Sequence, residues 1–293
     1  MIIPLKPLFQ ERIWGGKTLS TLYDLPHKEI NIGECWGISA LPNQSSKVVH
    51  KAFPAETTLH DLWATQPHLF GHYPAKSFPV LVKLIDAKED LSIQVHPNDA
   101  QAQALNSLGK SECWTILDCQ PDSHITIGHH AQTLEEMKQA IAAKHVESIV
   151  QTVPIQPGDF FFIEAGTLHA IRKNTFLLEV QQSSDITYRF YDYDREENGQ
   201  KRELHIEEAL SVLRVPDTMI TREMVPGYFD LEFLDLEGES LFEADTYGDY
   251  LVILDGEGFL EDHTLQPYQF YMISAQSSYT LKGNLKVARI RLV

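Results

Sequence analysis

Short apolar runs, broken by Gly and Pro, recur along most of this chain. The β-prone runs at 46–49, 80–85, 92–95, 112–117, 160–163 and 176–180 read as strands. The composition shifts near 216–226, and short strands then return at 250–254, 258–261, 270–273, 278–281 and 287–292. Asp255-Gly256-Glu257-Gly258 reads as a hairpin turn between two of these. Helical periodicity is sparse: 57–66 ahead of Pro67, 133–143 with Thr133 and Glu136 placed as a capping box, 145–151 continuing it, and 206–213 ahead of Pro216. The spacing predicts a mainly β protein, a sandwich or barrel rather than alternating βαβ units. A first domain is expected over 1–215, with a helical insertion at about 128–153, and a smaller β domain over 216–293. No glycine-rich phosphate loop follows a strand, which argues against a nucleotide-binding fold.

At 293 residues the chain suits one large or two small domains with room for a core. Apolar residues make up 43% and charged residues 22%, a soluble globular profile. No apolar run approaches membrane-spanning length, so no membrane partner is expected. Met1-Ile2-Ile3-Pro4 lacks the features of a signal peptide, which makes a cytoplasmic location the expectation. Cys35, Cys113 and Cys119 are odd in number and have no CxxC spacing, against both a disulfide framework and a thiolate metal site; Cys35 and Cys113, each before a tryptophan, read as small buried hydrophobes. Lys and Arg total 24 against 41 Asp and Glu, a formal charge of −17. Such a surface repels phosphate backbones, so no nucleic-acid partner is expected. An anionic small substrate would need a local basic pocket, which draws attention to the few cations near the chemistry-bearing motifs.

The most informative run is Leu91-Ser92-Ile93-Gln94-Val95-His96-Pro97-Asn98. In a strand, Gln94 and His96 point to one face, where an amide oxygen and an imidazole nitrogen form half of a metal site. Glu112, in Lys110-Ser111-Glu112-Cys113-Trp114, and His169, in Ala165-Gly166-Thr167-Leu168-His169, offer the other half. Two nitrogens and two oxygens suit zinc. Each residue alone has a plainer reading: a polar pair on a solvated edge, a surface carboxylate, a histidine satisfied in a turn. The four together outweigh those readings. His124, His129 and His130 read as an exposed loop. Glu34 reads as pocket floor or core, Trp36 as core or as support behind the site, and Phe160 to Phe162 as packing residues.

Gly158, Gly166 and His169 fall at the spacing Gly-x7-Gly-x2-His, which resembles the second half of the cupin pattern, small β-barrels with metal in the mouth. The chain departs at Glu164, where that pattern has proline, and at Lys173, where it often has asparagine. Glu164 is expected to point to solvent. Gln94-Val95-His96-Pro97, Lys110-Ser111-Glu112, Ala165-Gly166-Thr167-Leu168-His169 and Ser184-Asp185-Ile186-Thr187-Tyr188-Arg189 together resemble type I mannose-6-phosphate isomerases, the short bacterial form above all. Trp14-Gly15-Gly16 and Gly33-Glu34-Cys35-Trp36-Gly37 add to the likeness, which runs from about Pro4 to Leu213 and more faintly to Val293.

The resemblance implies two cupin-like β-barrel (jelly-roll) units, the first with the helical insertion and the metal, the second without ligands. It implies one zinc ion (Zn2+) per chain on Gln94, His96, Glu112 and His169, Arg189 as the active-site arginine, Asp185 in proton transfer, and Lys110 and Lys83 facing the substrate. The implied reaction interconverts mannose 6-phosphate and fructose 6-phosphate through an enediolate. It needs a base for the migrating proton and positive charge for the developing oxyanion. Zinc with one carboxylate ligand keeps net positive charge and can polarise O1 and O2. Arg189 cannot deprotonate at working pH and is assigned charge stabilisation and substrate binding. Lys110 beside a dication could act as acid or base; Asp185 and a hydroxide on the cation are its rivals. Lys83 in an apolar strand either snorkels or faces a polar pocket, with the pocket favoured. Arg195 reads as a solvated strand residue. A sugar phosphate is the expected partner, and the expected assembly is a monomer or weak homodimer. The competing functions are a metal cupin of other chemistry, such as a dioxygenase, and a non-catalytic sugar-binding cupin. Two oxygen ligands fit Lewis-acid work better than the first, and a proton-transfer set is superfluous in the second.

Overall fold

The computed structural model describes residues 1–293 except Lys28, Asn198 and Pro226. One end of the composition shift, Pro226, thus lies outside the described residues. Strands dominate, as expected, and the helices are short. The ladders among the described residues form open sheets rather than closed barrels. No helix among them is long and apolar enough to cross a membrane. The chain divides into two compact units: Met1–Leu8, Trp36–Val82 and Val225–Val293 in one, Phe9–Cys35 and Lys83–Met224 in the other.

The first unit is organised on one sheet, in the order Phe229–Glu243, Ser278–Leu292, Asp249–Leu260, Phe270–Ile273, Ile2–Lys6, Lys47–Val48, with His263–Leu265 also paired to Asp249–Leu260. Leu251, Ile253, Leu281, Leu285 and Val287 form its core. The runs expected at 250–254 and 258–261 are one strand, and so are those at 278–281 and 287–292. The hairpin expected at Asp255–Gly258 does not form; the ladder runs through it, and the chain reverses after Leu260, which pairs with His263. Gly256 and Gly258 serve another purpose. A Cβ at Gly256 would lie 1.9 Å from the Asn284 carbonyl oxygen, and one at Gly258 2.2 Å from that of Lys282. These glycines admit a neighbouring backbone instead of turning their own. The helix expected at 57–66 forms over Leu59–Thr65, with Thr58 and Asp61 capping each other.

The second unit faces two sheets across a shared core. One sheet runs Val150–Pro154, His124–His129, His169–Ala170, Ile93–Val95, Tyr188–Tyr191; the other runs Phe160–Ile163, Glu112–Cys119, Thr175–Gln182 and then those parts of Val80–Ala87, Leu8–Gly16 and Ile32–Ile38 that belong to this unit. Ile125, Ile127, Val153 and Ile171 meet Ile85, Trp114, Ile116, Phe161 and Leu177 between them. Alternate residues of the first sheet, Ile93, Val95, Val150, Ala170 and Phe190, point the other way. There they pack under Met137, Val146, Ala209 and Leu210, which the helices Leu134–Ala142, Val146–Ile149 and Ile206–Val212 supply. The helical stretch expected near 128–153 thus covers an apolar sheet face. Its capping box is half made: the Thr133 hydroxyl accepts from the Glu136 amide at 3.2 Å, while the Glu136 carboxylate takes the Gln132 amide at 2.7 Å. Of the histidines expected in an exposed loop, His130 is exposed and outside any strand, His124 is exposed but begins a strand, and His129 ends that strand fully buried, with Nε2 2.9 Å from the Arg214 carbonyl. His129 shares a sheet whose pairing and helical cover its polar local sequence does not reveal.

Candidate metal centre and active site

Strand alternation decides what faces the interior of the second unit. Ile93 and Val95 point to the helices, so Gln94 points inward. His169 shares its parity with the core residue Ile171, Glu112 with Trp114, Glu179 with Leu177, and Lys83 with Ile85. Pairing then sets Gln94 between His169 on one neighbouring strand and Arg189 on the other. At this end of the interior the apolar core gives way to buried polar and charged groups: Lys83, His96, Lys110, Glu112, His169 and Glu179 are all under a tenth exposed.

His96, Glu112 and His169 converge, with ligand atoms within 4.8 Å of one another. The His96 and His169 Nε2 atoms are 3.2 Å apart, and they lie 3.6 and 3.4 Å from the two Glu112 oxygens. Each imidazole has Nδ1 at 2.8 Å from a backbone carbonyl, Ile186 for His96 and Thr167 for His169. Those carbonyls fix the proton on Nδ1 and leave Nε2 a bare lone pair. Burial lowers the pKa of His96 well below its ordinary value, and that of His169 to about 4, so both rings are neutral at neutral pH. Burial, reinforced by the nearby Glu179 charge, raises the Glu112 carboxyl. Lys110 lies 3.0 Å from Glu112 and 3.1 Å from His96 Nε2; no further donor satisfies either buried Glu112 oxygen.

Lys110 offsets part of the repulsion among two facing lone pairs and a buried carboxylate from one side; a cation at their centre removes the rest. A tetrahedral ion with bonds of about 2.0–2.1 Å separates its ligand atoms by about 3.3–3.4 Å, close to the spacings here, so the residues fit a small divalent metal. Gln94 reaches the same point with its amide nitrogen, 3.4 Å from His169 Nε2, while its oxygen accepts from Ser92 at 3.2 Å. A half-turn of the amide would present the oxygen instead.

A cavity of about 450 Å³ opens beside this cluster, in the size range of small-ligand sites. Gln94, Lys110, Lys83, Asp185 and Arg189 line it, so all five expected cavity residues share one wall system. Asp185 is at the exposed end. Lys83 does not snorkel: it is buried and pairs with Glu179 at 3.1 Å, whose other oxygen accepts from the Trp114 indole at 2.9 Å. Burial works against both charges of that pair, but their mutual attraction wins, raising the Lys83 pKa and, with Lys110, lowering that of Glu179. Arg12 is held by Glu34, with both carboxylate oxygens engaged at 3.2 and 3.1 Å. Arg189 differs: among the described residues no carboxylate lies within ion-pair reach of it, and its buried Nε has no acceptor.

Several cavity-lining residues escaped the sequence reading. Glu179, Arg12, Arg202 and His205 also line the cavity. Glu179 did leave a signal, as a lone carboxylate inside the apolar run Phe176-Leu177-Leu178-Glu179-Val180. Glu164, expected to point to solvent, is half exposed, and it also holds Arg214 at 2.6 Å.

The chain resembles known proteins along nearly its whole length. Residues 2–112 match the family model described as phosphomannose isomerase type I, catalytic domain. That span includes Lys83, Gln94, His96, Lys110 and Glu112 but stops short of His169, Asp185 and Arg189. The probable mannose-6-phosphate isomerase GmuF of Bacillus subtilis (strain 168) is 40% identical, over 96% of this chain and 93% of that one. Mannose-6-phosphate isomerase ManA of the same organism is 38% identical, over 90% and 92%. A crystal structure of mannose 6-phosphate isomerase from Bacillus subtilis superposes with a TM-score of 0.92 at 36% identity, covering 99% of both chains. With relatives this similar over nearly all of its length, the chain belongs to the type I phosphomannose isomerase family.

Proposed function

We propose that the protein interconverts mannose 6-phosphate and fructose 6-phosphate through an enediolate, with one zinc ion per chain. The observation that carries this reading is the convergence of His96 Nε2, His169 Nε2 and the Glu112 carboxylate on one point beside Lys110. The names of full-length relatives support the substrate. Neutral imidazoles, one carboxylate and the Gln94 amide form a borderline ligand set that favours zinc over magnesium or calcium. When bound, the ion supplies Lewis-acid polarisation of the sugar oxygens O1 and O2.

The chain's own residues do the rest. A base removes the proton at C2 of the open-chain aldose; the C2–H electron pair forms the C1–C2 double bond as the C1 carbonyl electrons move onto O1; a proton passes from the O2 hydroxyl to O1, and the first proton returns at C1 as the C2 carbonyl forms. Lys110 Nζ and the Asp185 carboxylate, both on the cavity wall, are assigned to carry that first proton. Arg189, un-neutralised by any neighbouring carboxylate, stabilises the oxyanion and binds substrate. Lys83 is already neutralised by Glu179 and serves as a fixed hydrogen-bond donor to the sugar. With a net charge of −17, the molecule has this pocket as its means of attracting a sugar phosphate, and nucleic acid is not a partner.

The test is isomerisation of mannose 6-phosphate, followed by coupled detection of fructose 6-phosphate, before and after chelation. Turnover should vanish with chelator and return with zinc. Metal-replete protein that leaves mannose 6-phosphate unchanged would refute the proposal.

A further inference from the structure

The turn at 164–167 touches every segment that carries a candidate metal ligand. The Gly166 amide donates to the His96 carbonyl at 2.9 Å. The Ala165 amide donates to the hydroxyl of Ser111, the neighbour of Glu112, at 3.1 Å. The Thr167 carbonyl accepts from His169 Nδ1 at 2.8 Å. One short turn therefore sets the relative positions of His96, Glu112 and His169.

Arg214 holds that turn from its other side. Its backbone amide donates to the Gly166 carbonyl at 2.8 Å. Its guanidinium donates to the Glu164 carboxylate at 2.6 Å and to the Thr167 hydroxyl. Arg214 is itself anchored: its carbonyl faces His129 Nε2 at 2.9 Å, and Asp217 lies 3.4 Å from its Nε. The His129 amide in turn donates to the Asp217 carbonyl at 2.7 Å. Glu164 stands where the cupin pattern carries proline. Proline fixes its own φ and stiffens a turn; a glutamate leaves the backbone free unless its side chain is held.

We propose that Arg214 is a positioning residue for the metal centre, clamping Glu164 and Thr167 so that the turn presents His96, Glu112 and His169 to one cation. The inference rests on the metal-site reading above. The ion pair itself is partly solvated, with side-chain exposures of 35% for Arg214 and 51% for Glu164, and such pairs add little to global stability. The effect of breaking the clamp therefore belongs in metal affinity rather than in folding.

Zinc affinity of the full chain, measured by competition with a chromogenic chelator, tests this alongside the melting temperature of the metal-free protein. Arg214→Ala should weaken zinc binding by about 10- to 100-fold, the usual cost of losing support behind metal ligands. Glu164→Gln and Thr167→Val should each weaken it less, and Arg214→Lys should fall between, because an ammonium cannot span both acceptors with a planar fork. Metal-free Glu164→Gln and Thr167→Val should melt with the unmodified protein, whereas Arg214→Ala should melt lower, because the buried Asp217 carboxylate loses its cationic neighbour. Unchanged zinc affinity in Arg214→Ala would overturn the inference, and so would a loss matched by an equal fall in metal-free melting temperature across all four variants. If the unmodified protein itself binds no zinc, the metal-site reading fails first, which the same titration reveals separately.

Discussion

Both units bury charge between strands, and they treat it in opposite ways. In the unit built on Ser278–Leu292, Asp249 is fully buried, yet each of its oxygens is satisfied: Oδ1 accepts from the Asp245 amide at 3.1 Å, and Oδ2 accepts from Tyr279 and Arg289, each at 2.7 Å. Arg289 completes its own bonding on the Glu243 carbonyl at 2.9 Å. In the other unit Glu112 is equally buried and its oxygens go without a full set of donors. Every buried side-chain polar atom without a hydrogen-bond partner among the described residues, from Glu112 to Asp217, belongs to this second unit. Satisfied burial specifies a fold; unsatisfied burial, aimed at one point, marks where a ligand completes the structure.

Replacing the same chemical group in the two units separates these roles. Glu112→Gln should reduce isomerisation to the assay background and abolish stoichiometric zinc binding, read by metal analysis of the purified protein. Arg189→Ala should lower kcat by about 10²–10³-fold, the scale of a lost oxyanion stabiliser, with zinc content unchanged. If zinc is lost as well, Arg189 supports the ligands instead of the reaction. Asp249→Asn should cost about 3 kcal/mol in denaturant unfolding, because Arg289 loses its buried partner, while zinc affinity stays as it was. The smallest effect reverses that sign. Burial raises the Glu112 carboxyl above its ordinary 4.5, so its contribution to stability is present below that value and is lost as pH rises through neutrality. Metal-free Glu112→Gln should therefore be more stable than the unmodified protein above neutral pH, with the gap closing towards pH 4.5. A gap that widens on acidification would show that Glu112 is stabilised as a carboxylate by Lys110.

Local rules carried much of this structure. The two-residue spacing of Gln94 and His96, the helix within 57–66 and the helix start at Thr133 depend on neighbours in sequence, and all can be read without a fold. The failures were equally specific. The glycines at 256 and 258 look like a turn in one dimension, but they face the Asn284 and Lys282 carbonyls of a partner strand. His129 looks like a loop residue until its strand is paired and covered. Glu179 and Lys83 each appeared as one charge stranded in an apolar run, and nothing local says that these two runs lie side by side.

The amino-acid sequence by itself determined the strand-rich architecture, the family likeness and the kinds of ligand atom available, because periodicity, turn chemistry and motif spacing act over a few residues. Only the tertiary structure decided that Glu179 neutralises Lys83, that Arg189 is left uncompensated, and that Arg214 reaches back to Glu164. Those outcomes depend on which distant strands become neighbours, and that choice is made by burial of whole faces rather than by any single stretch of chain.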